Sequence, residues 1–192
     1  MFIYRKENAL SPQLCKDFIN TFELSDDKQP GILYGANGNS STDGKKSTDI
    51  TFNPKYLQHN QWGSKLIQLV EVLEKGYRDY TDRHSLAFSN LDSLEISPLF
   101  NMQRYEPGEG FYGWHCERAS NMFNDRFLVW MIYLNTVIDR GETEFYYQHH
   151  FESATEGKLV IWPSDWMYLH RGVSSPTNVK YILTGWFNMK NR

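Results

Sequence analysis

Three residues of this chain could together bind a metal ion. His115 and Glu117 are two positions apart, so on an extended strand both side chains would leave the same face. An imidazole and a carboxylate on one face can take two adjacent positions around a small divalent ion. A third ligand must then come from elsewhere in the chain, and His170 is the candidate.

Two histidines and one carboxylate leave the other positions of an octahedral ion open, as in non-haem Fe(II) oxygenases. The pair of His115 and Glu117 is a weak signal when taken alone, because a histidine beside an acid often only pairs with it. His170 could likewise be an ordinary turn residue. The choice between a metal site and a metal-free pair therefore depends on the rest of the chain.

Length and charge narrow the classes of protein. A chain of 192 residues fits one domain, and we expect residues 1–192 to form it. A formal net charge of -3 argues against a surface for phosphate backbones, so no nucleic-acid partner is predicted. Cys15 and Cys116 make no disulfide framework, and no apolar run is long enough for a membrane span. We expect a cytoplasmic protein without a membrane partner; the oligomeric state is not predicted.

Two helices are predicted in the first half of the chain. Ser11 followed by Pro12 is typical of a helix start, and apolar residues then recur at helical spacing from Leu14 to Phe22. A second helix is predicted from Trp62 to Tyr80, where apolar residues follow one another in steps of three and four. Both helices should pack one apolar side on the body of the domain.

The remaining N-terminal segments are predicted to be a short strand and a loop. Phe2 to Tyr4 is expected to form an edge strand. Residues 31–49 are rich in Gly, Ser, Asn, Asp and Lys without an apolar period, which predicts a flexible loop. This loop is either a solvated connector or a lid over a site. Residues 1–92 are thus expected to be helical support with a loop.

Strands are predicted to dominate the chain after Arg83. Short segments rich in aromatic and β-branched residues are separated there by Gly, Pro, Asn or Asp. The segments are Leu94–Tyr105, Phe127–Asn135, Glu144–Phe151, Lys158–Trp162 and Lys180–Met189. Their spacing predicts a sandwich, a barrel or a jelly roll.

The ligand candidates and a later lysine resemble a known family. Lys180 follows His170 by ten residues and opens the last predicted strand. With His115 and Glu117, this pattern resembles the 2-oxoglutarate and Fe(II)-dependent dioxygenases, and within them the prolyl 4-hydroxylase-like group. The resemblance implies that His115, Glu117 and His170 hold the metal. It also implies that Lys180 binds the far carboxylate of 2-oxoglutarate, although an edge-strand lysine would look the same in sequence.

Further motifs extend the resemblance from Met102 to Phe187. The stretch Met-Gln-Arg-Tyr ending at Tyr105 resembles the strand before the first ligand of the family and implies that Tyr105 contacts the cosubstrate. Residues 141–145, Gly-Glu-Thr-Glu-Phe, resemble its Gly-Gly-x-Thr-x-Phe segment. The hydroxyl of Thr143 or of Tyr105 is therefore expected to add a hydrogen bond to the cosubstrate.

Two more residues receive roles from the resemblance. Arg126, followed by Tyr-Leu-Asn at 133–135, resembles the family's arginine and strand. Arg126 is then either a substrate-binding residue near the iron or only an ion-pair partner of Asp125 or Glu142. Trp186 on the last strand is expected either to belong to the core or to wall the cavity beside Lys180.

The chain departs from the family pattern at four points. Glu117 replaces the commoner aspartate, which puts the carboxylate one methylene further out. Arg140 stands in place of the first glycine of the Gly-Gly pair, and Val129 stands where related hydroxylases often have threonine. The interval from Tyr105 to His115 is one residue longer than usual.

Three other candidate ligands are not favoured. His149 and His150 are adjacent, so on a strand they face opposite sides and cannot both reach one site. Cys116 should point away from the metal if the strand is regular.

Taken together, the resemblance implies a mainly β fold with N-terminal helices, whose core at 93–189 is a double-stranded β-helix, the jelly-roll or cupin-like architecture. The implied cofactors are Fe(II), 2-oxoglutarate and O2, with ascorbate as a candidate reductant. The implied reaction is hydroxylation of a C–H bond with decarboxylation of 2-oxoglutarate to succinate and CO2. A peptidyl-proline or other protein side chain is the first substrate hypothesis, and a free amino acid or small metabolite is the second.

Other functions remain open at this point. A nucleic-acid demethylase is disfavoured by the acidic balance. A non-catalytic jelly-roll binding module would be expected to lack one of His115, Glu117, His170 and Lys180, yet all four are present. A zinc hydrolase on a cupin-like fold would not need Lys180.

Overall fold

The computed structural model describes residues 1–34, 40–41 and 44–190. The helices are α1 (Pro12–Leu24), α2 (Gly63–Arg83) and α3 (Ser85–Phe88). The strands of the first half are β1 (Tyr4–Lys6), β2 (Gln29–Pro30), β3 (Leu33–Tyr34), β4 (Ser40–Ser41) and β5 (Thr48–Phe52). The strands of the second half are β6 (Leu94–Ile96), β7 (Phe100–Tyr105), β8 (Arg126–Tyr133), β9 (Thr143–Phe145), β10 (His150–Glu152), β11 (Leu159–Pro163), β12 (His170–Gly172) and β13 (Lys180–Met189).

Both predicted helices are confirmed. α1 begins at Pro12, and the backbone N–H of Leu14 donates to the hydroxyl of Ser11 at 3.2 Å, which satisfies one of the free donors at the helix start. α2 begins directly after Trp62, whose ring is fully buried. The short helix α3 was not predicted. None of the helices within the described residues is both long and apolar enough to cross a membrane.

A large antiparallel sheet forms the body of the domain. Its strand order is β1-β11-β8-β13-β7-β5-β2, and β6 also pairs with β13. The last predicted strand is confirmed at the same bounds, Lys180–Met189, and lies between β8 and β7. The predicted edge strand is found two residues later, as β1, at one edge of this sheet. This sheet is the scaffold on which the candidate site residues are arranged.

A smaller antiparallel sheet has the order β10-β9-β12. The single strand predicted at Glu144–Phe151 is wrong: the chain forms β9 and β10 with a turn between them. The turn places His149 in the left-handed region, with φ of 48°, so the chain reverses there instead of continuing extended. The predicted strand Leu94–Tyr105 is likewise divided, into β6 and β7.

The N-terminal region contributes more strand than predicted. Within residues 31–49, expected to be a flexible loop, β3 pairs with β4 and β5 begins at Thr48. β5 pairs along its whole length with β7, and β2 pairs with β5. Residues 35–39 and 42–43, where the loop prediction also falls, lie outside the described residues. The large sheet therefore draws its last two strands from the region predicted to be helical support.

Side chains of the large sheet alternate between two apolar clusters, as the pleat requires. On β8, Trp130 and Ile132 belong to the cluster that packs under α1 and α2. Val129 and Tyr133 of the same strand belong to the cluster that packs between the two sheets, which includes Phe145 of β9. Every central strand of the large sheet thus has one face on the helices and the other on the space between the sheets.

Candidate functional site

Three side chains that could hold a metal ion meet between the two sheets. The potential ligand atoms of His115, Glu117 and His170 all lie within 4.8 Å of one another. Oε1 of Glu117 is 3.5 Å from Nε2 of His115 and 3.6 Å from Nε2 of His170. The structure thus brings together the three residues predicted from sequence to be ligands. Cys116 is not part of this group.

The backbone reaches this geometry by a different route from the predicted strand. His115 and His170 form an isolated bridge, in which each backbone N–H donates to the other's carbonyl, at 3.0 and 2.9 Å. Glu117 lies in a turn, and its N–H donates to the carbonyl of Ser164 at 3.1 Å. The expectation that His115 and Glu117 share one face of a regular strand is therefore wrong. The bridge at His115 and the anchored turn at Glu117 bring their side chains together instead.

Both imidazoles are oriented by their own backbone. Nδ1 of His115 donates to the carbonyl of Gly113 at 2.9 Å, and Nδ1 of His170 donates to that of Tyr168 at 2.9 Å. These bonds leave Nε2 of each ring as the atom that faces Glu117. The ring of Phe111 stacks on that of His115, with centroids 3.6 Å apart, and limits its rotation. A metal-binding histidine commonly has its second nitrogen fixed in this way.

The protonation states also suit a metal. Burial acts to raise the pKa of Glu117, but hydrogen bonds and charge interactions with His115 and His170 outweigh it and hold the pKa well below its usual range. Burial and the neighbouring His115 lower the pKa of His170. Near neutral pH the carboxylate is therefore ionised and the His170 imidazole is neutral. An ionised carboxylate and imidazole nitrogens fit the donor preference of a divalent transition metal such as Fe(II).

Lys180 is a buried cation that faces the same space. Its side chain is 4 % exposed, and Nζ donates to the carbonyls of Gly141 and Val173, at 3.1 and 3.4 Å. Among the described residues no carboxylate lies within ion-pair distance of it. Burial lowers the pKa of Lys180 to about 8. A charged group in this position is costly unless an anion joins it, so Lys180 is a ready anion-binding group.

Tyr105 and Thr143 lie beside Lys180, but each hydroxyl already has a protein partner. Lys180 and Tyr105 are register partners, and Nζ is 5.0 Å from the centre of the tyrosine ring. The Tyr105 hydroxyl donates to the side-chain oxygen of Gln103 at 2.7 Å. The hydroxyl of Thr143 is 2.7 Å from that of Tyr133. Both residues are near the position predicted for them, and their contact with a cosubstrate stays a prediction.

Arg126 has a partner that the sequence did not predict. Its guanidinium lies between two rings, 3.9 Å from the centre of Phe123 and 3.5 Å from that of Trp186. Nη1 donates to Oε2 of Glu117 at 3.2 Å. The predicted ion pair with Asp125 or Glu142 is therefore wrong within the described residues, because Glu117 takes that place.

Trp186 makes a second contact to the same carboxylate. Its indole N–H donates to Oε2 of Glu117 at 3.0 Å. The sequence placed Trp186 either in the core or beside Lys180. Its polar atom instead reaches the metal-ligand candidate. Neither this contact nor that of Arg126 has a signal in the linear sequence, because both depend on how β8 and β13 lie against the turn at Glu117.

A polar network behind Tyr105 was missed altogether. Lys45, buried within the predicted flexible loop, pairs with Asp49 at 2.6 Å. Gln103 donates to the same carboxylate at 3.2 Å and accepts from Tyr105. Charged residues four apart in a polar stretch are normally solvated, so the composition predicted an exposed loop where the structure has a buried ion pair. The network fixes the position of Tyr105.

The cluster of possible ligands found among the described residues does not include His149 or His150. Nε2 of His150 lies 3.0 Å from Oε2 of Glu152, which also pairs with Arg5. His149 lies in the turn before β10.

Comparison with protein families gives one match in this chain. Residues 100–188 match the family model described as the 2OG-Fe(II) oxygenase superfamily. The matched region begins with β7 and ends one residue before the end of β13, so it contains all three members of the histidine and glutamate cluster and Lys180. No curated protein sequence matches the chain.

Solved structures give matches over nearly the whole chain. A viral collagen prolyl hydroxylase from Paramecium Bursaria Chlorella virus-1, in complex with 2-oxoglutarate, is 17 % identical, with a TM-score of 0.69, covering 99 % of this chain and 97 % of that one. A prolyl-4-hydroxylase from Pseudomonas putida is 18 % identical, with a TM-score of 0.71, and the coverage is 98 % and 93 %.

A third similar structure contains a peptide. It is a prolyl hydroxylase from Trichoplax adhaerens in complex with a hypoxia inducible factor oxygen degradation domain peptide fragment, 15 % identical, with a TM-score of 0.72 and coverage of 97 % and 83 %. At these identities the likeness concerns the fold. It confirms the predicted mainly β architecture, the double-stranded β-helix with N-terminal helices.

Proposed function

We propose, from the match of residues 100–188 to the 2OG-Fe(II) oxygenase superfamily model, that the chain hydroxylates a prolyl residue of a polypeptide. The family implies an oxidoreductase that uses Fe(II), 2-oxoglutarate and O2. Residues 1–192 act in this proposal as one catalytic domain, because the similar viral enzyme covers the chain almost from end to end. Ascorbate as a reductant stays a prediction.

In the proposed site, His115, Glu117 and His170 hold the iron. Two imidazole nitrogens and one carboxylate oxygen meet from different segments of the chain, and the backbone bridge at His115 and His170 fixes two of them. Bound Fe(II), together with 2-oxoglutarate and O2, supplies the oxidising chemistry that hydroxylates a C–H bond and yields succinate and CO2. The protein's own share is to orient the donor atoms.

The observation that carries the proposal is that the buried Lys180 has no ion-pair partner in the part of the chain that the structure describes. A metal-binding jelly roll that hydrolyses its substrate has no use for an isolated buried cation at this place. A 2-oxo acid with a second carboxylate does, because its far end needs a fixed positive charge. Within residues 1–34, 40–41 and 44–190, Lys180 donates to two carbonyls and retains donor capacity for such an anion.

Gly172 lies beside the ammonium group of Lys180. A side chain at Gly172 would put its first carbon 3.8 Å from Nζ of Lys180, in the space that we assign to the carboxylate. Thr143 lies on the strand next to Gly172, with which it is in register. The Tyr133 hydroxyl donates to the carbonyl of Glu152, so Thr143 donates its one proton to Tyr133; Thr143 would have to turn that proton away from Tyr133 to serve as an additional donor to the carboxylate.

An aromatic surface beside the metal candidates supports a polypeptide substrate. It consists of four residues in edge-to-face contact, namely Trp114, Tyr146, Tyr147 and Trp166. Trp114 directly precedes His115, and the N–H of Tyr146 donates to the carbonyl that directly precedes His170, at 2.9 Å. All but Trp114 have about half or more of their area exposed. Exposed rings of this kind bind proline-rich, extended chains without requiring them to change conformation.

The test is an anaerobic titration of the Fe(II)-loaded protein with 2-oxoglutarate. We expect the weak visible charge-transfer band that chelation of a 2-oxo acid to Fe(II) produces, and its loss with formation of succinate when oxygen is added. His170→Ala should give neither band nor succinate. A set of proline-containing peptides, with matched alanine peptides as controls, is then added, and hydroxyproline is measured by mass spectrometry.

The outcomes separate the hypotheses. No band in protein shown to hold iron would contradict the proposal and favour a binding module or a zinc enzyme. A band and succinate without any hydroxylated peptide would reject the peptidyl-proline substrate and favour a free amino acid or another small metabolite. Hydroxyproline in the proline peptides alone is the expected result.

A further inference from the structure

The outer oxygen of Glu117 is held by two side chains that would not themselves touch a metal. We propose that Trp186 and Arg126 are positioning residues, which fix Oε2 of Glu117 so that Oε1 alone is presented to the metal. This inference rests on the proposed function, because it takes His115, Glu117 and His170 as the ligands.

The two oxygens of the carboxylate have separate sets of partners. Oε1 faces Nε2 of both histidines at 3.5 and 3.6 Å. Oε2 accepts from the indole N–H of Trp186 at 3.0 Å and from Nη1 of Arg126 at 3.2 Å. One oxygen is therefore directed to the ligand cluster and the other is occupied by protein donors. A carboxylate held in this way can offer one oxygen but not both.

Both donors are themselves held in place. The guanidinium of Arg126 is stacked between the rings of Phe123 and Trp186, at 3.9 and 3.5 Å from their centres. Its side chain is 17 % exposed. Since Trp186 lies on the central strand β13 and Arg126 begins β8, the donors move with the large sheet. They are thus rigid relative to the site and do not rely on a loop.

The backbone around Glu117 is tied to β8, the strand that begins with Arg126. The N–H groups of Glu117 and Arg118 both donate to the carbonyl of Ser164, at 3.1 and 3.2 Å. Ser164 is almost fully buried, and its hydroxyl donates to the carbonyl of Arg126 at 2.7 Å. The turn that carries Glu117 and the residue that holds its outer oxygen therefore share one anchor.

A glutamate at position 117 needs its outer oxygen restrained more than an aspartate would. Glutamate has one more rotatable bond than aspartate, so an unrestrained carboxylate could turn and bind a metal through both oxygens. A second bound oxygen would fill a position that a chelating 2-oxo acid requires. Outer donors on Oε2 prevent this rotation, which explains how the longer side chain can serve as a single-oxygen ligand.

The substrate role considered for Arg126 is not needed in this account. Its polar contacts go to the side chain and the carbonyl of Glu117, and its faces are covered by rings. An arginine that only bound substrate would have its donors directed to open space.

The experiment uses Co(II) as a spectroscopic stand-in for iron, without 2-oxoglutarate or oxygen. The Kd for Co(II) is measured by competition with a chromophoric chelator, and the coordination number is followed by the d–d absorption, whose intensity falls as coordination increases. Trp186→Phe keeps a ring and removes the N–H donor. Arg126→Met keeps a long apolar chain and removes the charge. Loss of an outer partner of a metal ligand typically costs about 10–100-fold in metal affinity, and we expect this for each variant.

Two matched controls come from the same neighbourhood. Trp162→Phe makes the same change in a ring 5.1 Å from that of His170, and the Trp162 N–H has no hydrogen-bond partner among the described residues. Arg118→Met removes an arginine from the turn of Glu117 whose guanidinium lies 3.7 Å from Asp165 instead. Both controls should change the Co(II) Kd by less than about threefold, since neither touches Oε2.

A double-variant cycle separates positioning from packing. In a Glu117→Ala background there is no carboxylate to hold, so adding Trp186→Phe should leave the residual Co(II) affinity unchanged. Circular dichroism checks that each variant is folded. If Trp186→Phe does not fold, the same cycle is carried out with Arg126→Met.

Four outcomes of the Co(II) experiment are distinguishable. A folded wild-type protein that does not bind Co(II) would contradict the proposed function itself. Wild-type binding with Trp186→Phe and Arg126→Met equal to their controls would overturn the positioning role and leave the proposed function intact. An equal effect of Trp186→Phe with and without Glu117 would also overturn it, because packing would then be the cause. We expect that Trp186→Phe weakens Co(II) binding and changes the d–d intensity only in protein that retains Glu117.

Discussion

The two faces of the large sheet use the same strands for opposite purposes. On β13, Leu183 and Phe187 face the helices and are fully buried among apolar residues. Lys180 and Trp186 face the space between the sheets, where a charge and an indole N–H are directed at the site. The helix face therefore resembles an ordinary core, and the other face carries buried polar groups that an ordinary core would exclude.

The helix face mainly supplies stability, and the site face mainly supplies the groups proposed for function. The helix face gains from burial of apolar area, and its buried cluster consists, within the described residues, of hydrophobic side chains. The site face includes a buried lysine without an ion-pair partner among the described residues, which costs stability until an anion arrives. Substitutions on the two faces should therefore change different quantities.

The largest effect is expected on the helix face. Leu69 of α2 is fully buried in the cluster under the helices. Leu69→Ala should lower the free energy of unfolding by about 2–5 kcal/mol, because it removes apolar contacts and leaves a cavity. The Kd of the folded protein for 2-oxoglutarate should not change. Urea denaturation and an anaerobic titration measure the two quantities, and a weakened 2-oxoglutarate Kd would show that the faces are not separate.

The opposite pattern is expected for Lys180→Met. Loss of the cation should weaken 2-oxoglutarate binding by about 100-fold, or ~2.7 kcal/mol. The unligated protein should at the same time be more stable by about 1–3 kcal/mol at neutral pH, since a charge is no longer buried. Thermal unfolding with and without 2-oxoglutarate measures both changes.

The pH dependence of the stability gained by Lys180→Met follows from the pKa of Lys180. Burial lowers the pKa of Lys180 in the folded protein to about 8, below its usual value of 10.5, so the folded state binds the proton less tightly than the unfolded state. The wild-type protein should therefore gain stability as the pH rises through 8 towards 10.5. The advantage of Lys180→Met should shrink over the same range, and a pH-independent advantage would contradict burial of charge as its cause.

The smallest effect concerns ligand binding and pH. Below about pH 8 Lys180 is protonated and can hold an anion, and above it the neutral fraction grows. The affinity for 2-oxoglutarate should consequently fall by up to about tenfold per pH unit above 8. Lys180→Arg should bind with little change over this range, because arginine stays charged. An anaerobic titration at several pH values makes the comparison, and parallel curves for the two proteins would exclude Lys180 as the titrating group.

Much of the helix face could be predicted from the sequence, because its signals are local. The spacing from Leu14 to Phe22 and the cap at Ser11 define α1 within one short stretch of chain. Strand β13 has clear β-rich composition between polar segments and was predicted at its observed bounds. The break between β9 and β10 was not predictable, because it depends on His149 adopting a positive φ that histidine rarely takes.

The residues of the site could be predicted better than its geometry. The types and order of His115, Glu117, His170 and Lys180 are a pattern in the sequence. The contacts to Oε2 of Glu117 are not, because they join the start of β8, the end of β13 and a turn. The buried pair of Lys45 and Asp49 was hidden for another reason: charged residues in a polar stretch are ordinarily solvated.

The isolated bridge between His115 and His170 also constrains the order in which the molecule assembles. The two residues are separated by 55 positions, and the four strands β8 to β11 lie between them. Closing so long a loop costs entropy that only the intervening strand pairs can offset, so this contact forms late in folding. A chain still being synthesised has no site until His170 has emerged and β12 has paired with β9. Under the proposed function, metal binding should therefore report completed folding and should not guide its early steps.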